Sequence, residues 1–149
     1  MDHCSILLVD DNPHDVELTL LALDADEGAE VKVTSSGREA LDYLQGQSGP
    51  AEQPGLILLD LNMPQMNGLE VLDALRAGEQ TRNIPVVVLT TSSEARDRQA
   101  SYAHGANDYV VKALDLDKFR EALARVRRRW LSSGGSGASG DLTGLKGLV

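Results

Sequence analysis

Five short apolar runs, rich in leucine or β-branched residues, recur along the chain: Ser5–Val9 (SILLV), Glu30–Thr34 (EVKVT), Leu56–Leu59 (LILL), Pro85–Leu89 (PVVVL) and Asp108–Val111 (DYVV). The first, third and fourth are almost unbroken, as expected of strands covered on both faces of a parallel sheet. The second alternates polar with apolar and suits a place nearer an edge. Helical patterns fill the intervals. Asn12-Pro13 opens the first helix, with Asn placed to cap free amides and Pro at the first helical position. Val16, Leu20 and Leu23 then share one face. A short helix is expected over Gly37–Gln45, and a third from about Asn67 with Leu69, Leu72 and Leu75 inward. A more polar helix is expected over Glu94–His104. The clearest has Leu116, Phe119, Leu123, Val126 and Trp130 at intervals of three and four.

Strand alternating with helix five times predicts an α/β fold, a doubly wound (βα)5 parallel sheet with right-handed crossovers. The flavodoxin-like strand order 2-1-3-4-5 is adopted, which places a site at the carboxyl ends of the strands. Residues 1–131 read as one domain. From Ser132 the chain is Ser/Gly-rich, so 132–149 reads as a flexible tail. Gln47 to Pro54 reads as a turn-rich surface loop.

Composition narrows the function. Aromatic residues are only 3% of the 149, so the core must be aliphatic. A net charge of −9 disfavours attraction to a phosphate backbone or an anionic membrane, so neither nucleic acid nor membrane is an expected partner. The single cysteine, Cys4, cannot close an internal disulfide. With no signal peptide or membrane span in view, a cytoplasmic location is expected.

The chemistry gathers at strand ends. Asp10-Asp11 follows the first strand, Asp60 the third and Thr90 the fourth, while Lys112 ends the fifth. In the adopted order these ends converge. Two unit charges about 4 Å apart repel by roughly 4 kcal/mol at an effective dielectric near 20. Three carboxylates therefore call for a hard divalent cation, and Mg²⁺ favours carboxylates, waters and phosphate oxygens. Taken singly, each piece has a bland explanation. Acids favour helix starts; Asp60 could be a turn residue; Thr91 or Ser92 reads as a cap for the next helix; a lone lysine is usually solvated. The joint occurrence, in order, is what points to a phosphoryl-accepting metal site.

These motifs resemble the receiver domain of two-component response regulators. The likeness covers about Ser5 to Leu131. It rests on LLVDDNP (Asp10, Asp11), LLDLNMPQMNG (Asp60, Met63, Pro64, Gly68), VVLTTS (Thr90) and GANDYVVK (Lys112), with Thr90 standing 30 positions after Asp60 and Lys112 22 after Thr90. The resemblance implies that Asp60 is the phosphoacceptor. It implies that Asp11, Asp60 and the Asn62 carbonyl bind Mg²⁺ (or Mn²⁺), with Asp10 assisting. Thr90 and Lys112 would hold phosphoryl oxygens. Tyr109 matches the aromatic that switches between exposed and buried rotamers, although an ordinary edge-strand tyrosine fits it equally. The implied donor is a sensor histidine kinase, and the protein would not be an enzyme beyond slow self-phosphorylation and self-dephosphorylation. The 47–54 loop, LTTS and SYAHGAN resemble stand-alone regulators that pair with bacterial phytochrome kinases. Such regulators often form homodimers through the fourth helix, fifth strand and fifth helix, where Trp130 and Phe119 could contribute. Output would then be a protein contact. One departure is Ala113, where most receivers carry proline after the lysine, often in a cis peptide.

Other readings stay open. A flavin-binding protein of this fold would need a phosphate-cradling loop where this chain has Asp-Asp-Asn. A haloacid-dehalogenase phosphatase would need an acid at position 62, which is Asn. A pseudo-receiver, or a receiver serving another kinase, is the nearer alternative.

Overall fold

The computed structural model describes residues 5–23, 30–46, 53–63, 66–91, 93–112 and 115–130. Expectations for Cys4, most of the 47–54 loop, Pro64, Ser92, the Lys112–Ala113 peptide and the tail lie outside them. The elements are β1 (Ser5–Val9), α1 (Pro13–Leu23), β2 (Glu30–Thr34), α2 (Gly37–Gln45), β3 (Leu56–Asp60), α3 (Gly68–Ala77), β4 (Val86–Thr90), α4 (Ala95–Ala103), β5 (Asp108–Val111) and α5 (Leu116–Trp130). All strand pairings are parallel, in the order β2-β1-β3-β4-β5. The alternating run is thus an edge strand, as its pattern implied. Strand β3 runs one residue beyond its apolar run and β4 is displaced by one residue toward its end, so Asp60 and Thr90 are the last residues of their strands.

Each interior strand feeds two cores. In β1, Leu7 and Val9 face a cluster built with Leu41 and Leu44 of α2 and Val71, Leu72 and Leu75 of α3. Ile6 and Leu8 face the other side, with Ala22 and Leu23 of α1 and Phe119, Leu123 and Val126 of α5. Two-sided burial is why these strands carry no polar alternation. The first helix turns differently from the expectation: Thr19, Ala22 and Leu23 are buried, while Leu20 is 36% and Leu21 50% exposed. Apolar residues surround this helix, so packing against α5 chooses the inner face. Phe119 is 1% exposed, a core residue that cannot serve a surface contact. Trp130 is partly buried against the α1/α5 core, and its indole N–H donates to Asp108 Oδ2 at 3.1 Å.

Local signals set the helix starts. Asn12 Oδ1 accepts the amides of His14 and Asp15. Asn67 and Glu70 form a reciprocal capping box at α3. Thr91 does not cap α4: the helix starts after Glu94, which makes no side-chain cap bond. At the α3 start, the Gly68 amide donates to Leu61 O at 2.9 Å, and a Cβ there would lie 2.8 Å from both Asp60 O and Leu61 Cα. Both are backbone atoms, so side-chain rotation relieves nothing. Gly68→Ala is expected to cost about 1–3 kcal/mol and to weaken divalent-cation binding by displacing the segment after β3. Urea unfolding and Mg²⁺ titration measure the two effects, and a variant matching the wild type in both would refute the close-approach argument.

Candidate functional site

The parallel topology delivers three carboxylates to one edge. Asp10, Asp11 and Asp60 each offer an oxygen within 4.8 Å of the others. Asp10 is held first: its amide donates to Thr34 O at 3.1 Å, and its Oδ1 accepts the Asn12 amide at 3.0 Å. Asp10 is 1% exposed and Asp60 6%, whereas Asp11 is exposed. Lys112 stands just past β5, its amide donating to Thr90 O at 2.7 Å. Its ammonium reaches Asp10 Oδ2 at 2.9 Å, Asp15 Oδ2 at 3.0 Å and Asp60 Oδ1 at 3.5 Å. A cavity of about 340 Å³, lined by residues that include Asp11, Asp15, Asp60, Asn62, Thr91 and Lys112, opens in front of them.

The electrostatics follow from burial. Burial pushes the Asp60 carboxyl from an ordinary 3.8 up to about 6; Lys112 pulls it down, Asp10 pushes it further up, and the Asn62 amide donates to it and lowers it. Burial alone would lower the Lys112 ammonium, but its contacts with Asp10, Asp60 and Asp15 outweigh burial and hold it above its ordinary value. The site thus carries more acid than one lysine neutralises. An all-oxygen set of crowded carboxylates beside open space fits a hard divalent cation.

Of the residues singled out from sequence, Asp10, Asp11, Asp60, Asn62 and Lys112 come together. Thr90 ends β4 fully buried, while its neighbour Thr91 lines the cavity. Tyr109 stands apart from the carboxylates. It is 5% exposed, in the α2/α3 core cluster, with the Arg98 guanidinium carbon 4.7 Å from its ring centroid. Asp15 is the site residue that sequence reasoning missed. Its place in the first turn of α1, just past the acidic pair, brings it near the site, but its contact with Lys112 depends on how that helix is turned.

Comparison with known proteins shows the family and the fold. A family model described as "Response regulator receiver domain" matches residues 6–124. Response regulator Rcp1 of Synechocystis sp. is 35% identical over 131 residues, covering 86% of this chain and 89% of Rcp1. The Mn²⁺-bound structure of Rcp1 superposes with a TM-score of 0.74 at 36% identity, over 90% of this chain and 99% of that one. The phosphorylated cyanobacterial phytochrome response regulator RcpA gives 0.76 at 38% identity, covering 87% and 95%. The bacteriophytochrome response regulator RtBRR gives 0.69 at 45% identity, covering 82% and 76%.

Proposed function

The chain belongs to the response regulator receiver domain family, and on that premise we propose that Asp60 accepts a phosphoryl group from a sensor histidine kinase of the phytochrome type. The observation that carries this is the crowding of Asp10, Asp11 and Asp60 around open space, with the Lys112 ammonium at its inner wall. Asp10, Asp11 and Asp60, with the Asn62 carbonyl, would hold Mg²⁺, for which Mn²⁺ substitutes. The metal supplies positive charge that lets a phosphate approach an acidic pocket. An Asp60 carboxylate oxygen bonds to phosphorus as the P–N bond to the kinase histidine breaks, the imidazole leaving with the electron pair. Lys112 then turns from carboxylate to phosphoryl oxygen, and the Thr90 hydroxyl donates to another. A charged hydrogen bond contributes about 1.5–3 kcal/mol, short of the roughly 5.5 kcal/mol that inverts a 1:99 population. Thr90, Lys112 and repacking of Tyr109 against Arg98 therefore act together.

The signal leaves as an altered α4–β5–α5 surface that binds a protein partner, a second copy of the chain among them. The chain acts as a phosphoacceptor and catalyses no reaction on other substrates. Among the described residues no helix is long and apolar enough to cross a membrane. The phytochrome assignment rests on the names of RcpA and RtBRR.

The test is transfer of labelled phosphate from a purified phytochrome-type kinase in Mg²⁺, with the acceptor mapped by borohydride reduction. One phosphate on Asp60 is the expected result. Label on another residue would overturn the assignment of Asp60. Labelling by acetyl phosphate but not by the kinase would overturn the phytochrome pairing alone.

A further inference from the structure

Lys112 has three carboxylate partners and they are unequal. The side chains of Asp10 and Asp60 are 0% and 8% exposed, while that of Asp15 is 32% exposed. Asp15 sits in the first turn of α1, 97 residues from Lys112, and its Oδ2 lies 3.0 Å from the ammonium. It lines the cavity but is not one of the three clustered carboxylates. Asp10 and Asp60 belong to the cluster that would hold a divalent cation, and their charge would be shared with it. Asp15 is then the carboxylate left to Lys112, and water can take its place when the lysine moves.

We propose that Asp15 is the resting-state anchor of the Lys112 ammonium, a positioning residue whose grip on the lysine opposes phosphoryl uptake by Asp60. This rests on the reading of Asp60 as phosphoacceptor. In the resting arrangement Asp60 has the longest of the three contacts with Lys112. Once phosphorus is bonded to Asp60, the ammonium must approach that residue and leave another. Asp10 is buried and fixed by the Asn12 amide. Asp15 is about one-third exposed, the most exposed of the three, and is the partner released. The Lys112–Asp15 ion pair therefore stabilises the unphosphorylated protein relative to the phosphorylated one. It slows uptake and shortens the life of the acyl phosphate.

The experiment follows phosphorylation of the full chain in Mg²⁺ by two small donors, dianionic acetyl phosphate and monoanionic phosphoramidate. In each, a donor P–O or P–N bond breaks as the Asp60 O–P bond forms, and the leaving group takes the electron pair. Asp15→Asn removes the charge at constant size. It is expected to raise the uptake rate about fivefold with both donors and to lengthen the acyl phosphate lifetime by a similar factor. Asp15→Glu, which keeps the charge, stays within about twofold of wild type. An acid serving only the α1 terminus would change the unfolding midpoint and leave both rates alone. Unchanged or slower uptake in Asp15→Asn would overturn the anchor. So would a gain confined to the dianionic donor, which signals a general field effect. Wild-type chain that labels normally while Asp15→Asn matches it removes the anchor alone. Wild-type chain unlabelled at Asp60 removes the phosphoacceptor reading, and the anchor with it.

Discussion

Asp60→Asn is expected to abolish phosphoryl uptake and, in the absence of divalent cations, to yield a protein more stable than wild type at neutral pH. The first effect follows from removing the nucleophilic oxygen: the amide cannot form a stable acyl phosphate. The second follows from burial, which raises the Asp60 carboxyl from 3.8 to about 6. Between those values the folded chain binds more protons at this residue than the unfolded chain does. Stability therefore falls as pH rises through the window, and the cost is fully present above about 6. The full shift corresponds to about 3 kcal/mol; solvent in the adjoining cavity reduces this, so a gain of about 1–2 kcal/mol is expected for the variant. Asparagine keeps a carbonyl to accept the Asn62 amide, and Lys112 retains Asp10 and Asp15. The measurement is urea unfolding in EDTA from pH 4 to 8. Wild type should lose stability between about pH 4 and 6, and the variant should show a flatter profile. Adding Mg²⁺ should narrow the gap, because a cation that binds only the folded wild-type site stabilises it by mass action. A destabilised variant at pH 7.5, or one that still takes up acetyl phosphate, contradicts the account of Asp60.

A buried carboxylate whose ionised form is expected to cost stability is the energetic signature of a functional site. The site was legible in part because its acids stand at strand ends. Once the flavodoxin-like order is adopted, Asp10 follows β1, Asp60 closes the adjacent β3 and Lys112 follows β5, with β4 between, so the three fall at the same end of the sheet. Two-sided burial leaves interior strands without alternation and marked β2 as an edge, while the rest of the order was adopted from the fold class. The parts that were not legible depend on rotation and on backbone. The contact of Asp15 with Lys112 depends on how α1 is turned, and Val16, Leu18, Leu20, Leu21 and Leu23 offer apolar surface on every side of that helix. The same ambiguity put Leu20 on the inner face in the sequence reading. Phe119 looked available for a surface contact because periodicity shows which residues share a stripe and not what the stripe meets. Thr91 resembled a cap, yet the chain runs on to Glu94 before α4 begins, which leaves Thr91 at the cavity.

Arg76 was invisible for a related reason: its acceptors are mostly main-chain carbonyls, whose positions no residue type announces. The structure gives its guanidinium five contacts. Nε donates to Gly105 O at 3.0 Å, and one terminal nitrogen reaches Thr81 O at 3.4 Å, Arg82 O at 2.9 Å and Ile84 O at 2.9 Å. The other donates to Asn107 Oδ1 at 2.8 Å, an oxygen that also accepts the Val86 amide. Gly105 allows the approach: its φ is 111°, and a Cβ there would lie 2.7 Å from Arg76 Cγ. One side chain thus ties the end of α3 to the entry of β4 and to the turn between α4 and β5. Arg76→Met keeps the apolar stem and loses every donor, leaving partly buried carbonyls unpaired. A loss of about 3–5 kcal/mol is expected, a large share of the 5–15 kcal/mol typical of a domain. Arg76→Lys restores a charge but not the planar fork, so it should recover less than half of that loss. The staple lies at the opposite end of α3 from Gly68 and the carboxylates. Folded Arg76→Met should therefore take up phosphate from acetyl phosphate at close to the wild-type rate while its urea midpoint falls sharply. An unfolding free energy within about 1 kcal/mol of wild type would show that water satisfies those carbonyls as well as the guanidinium does.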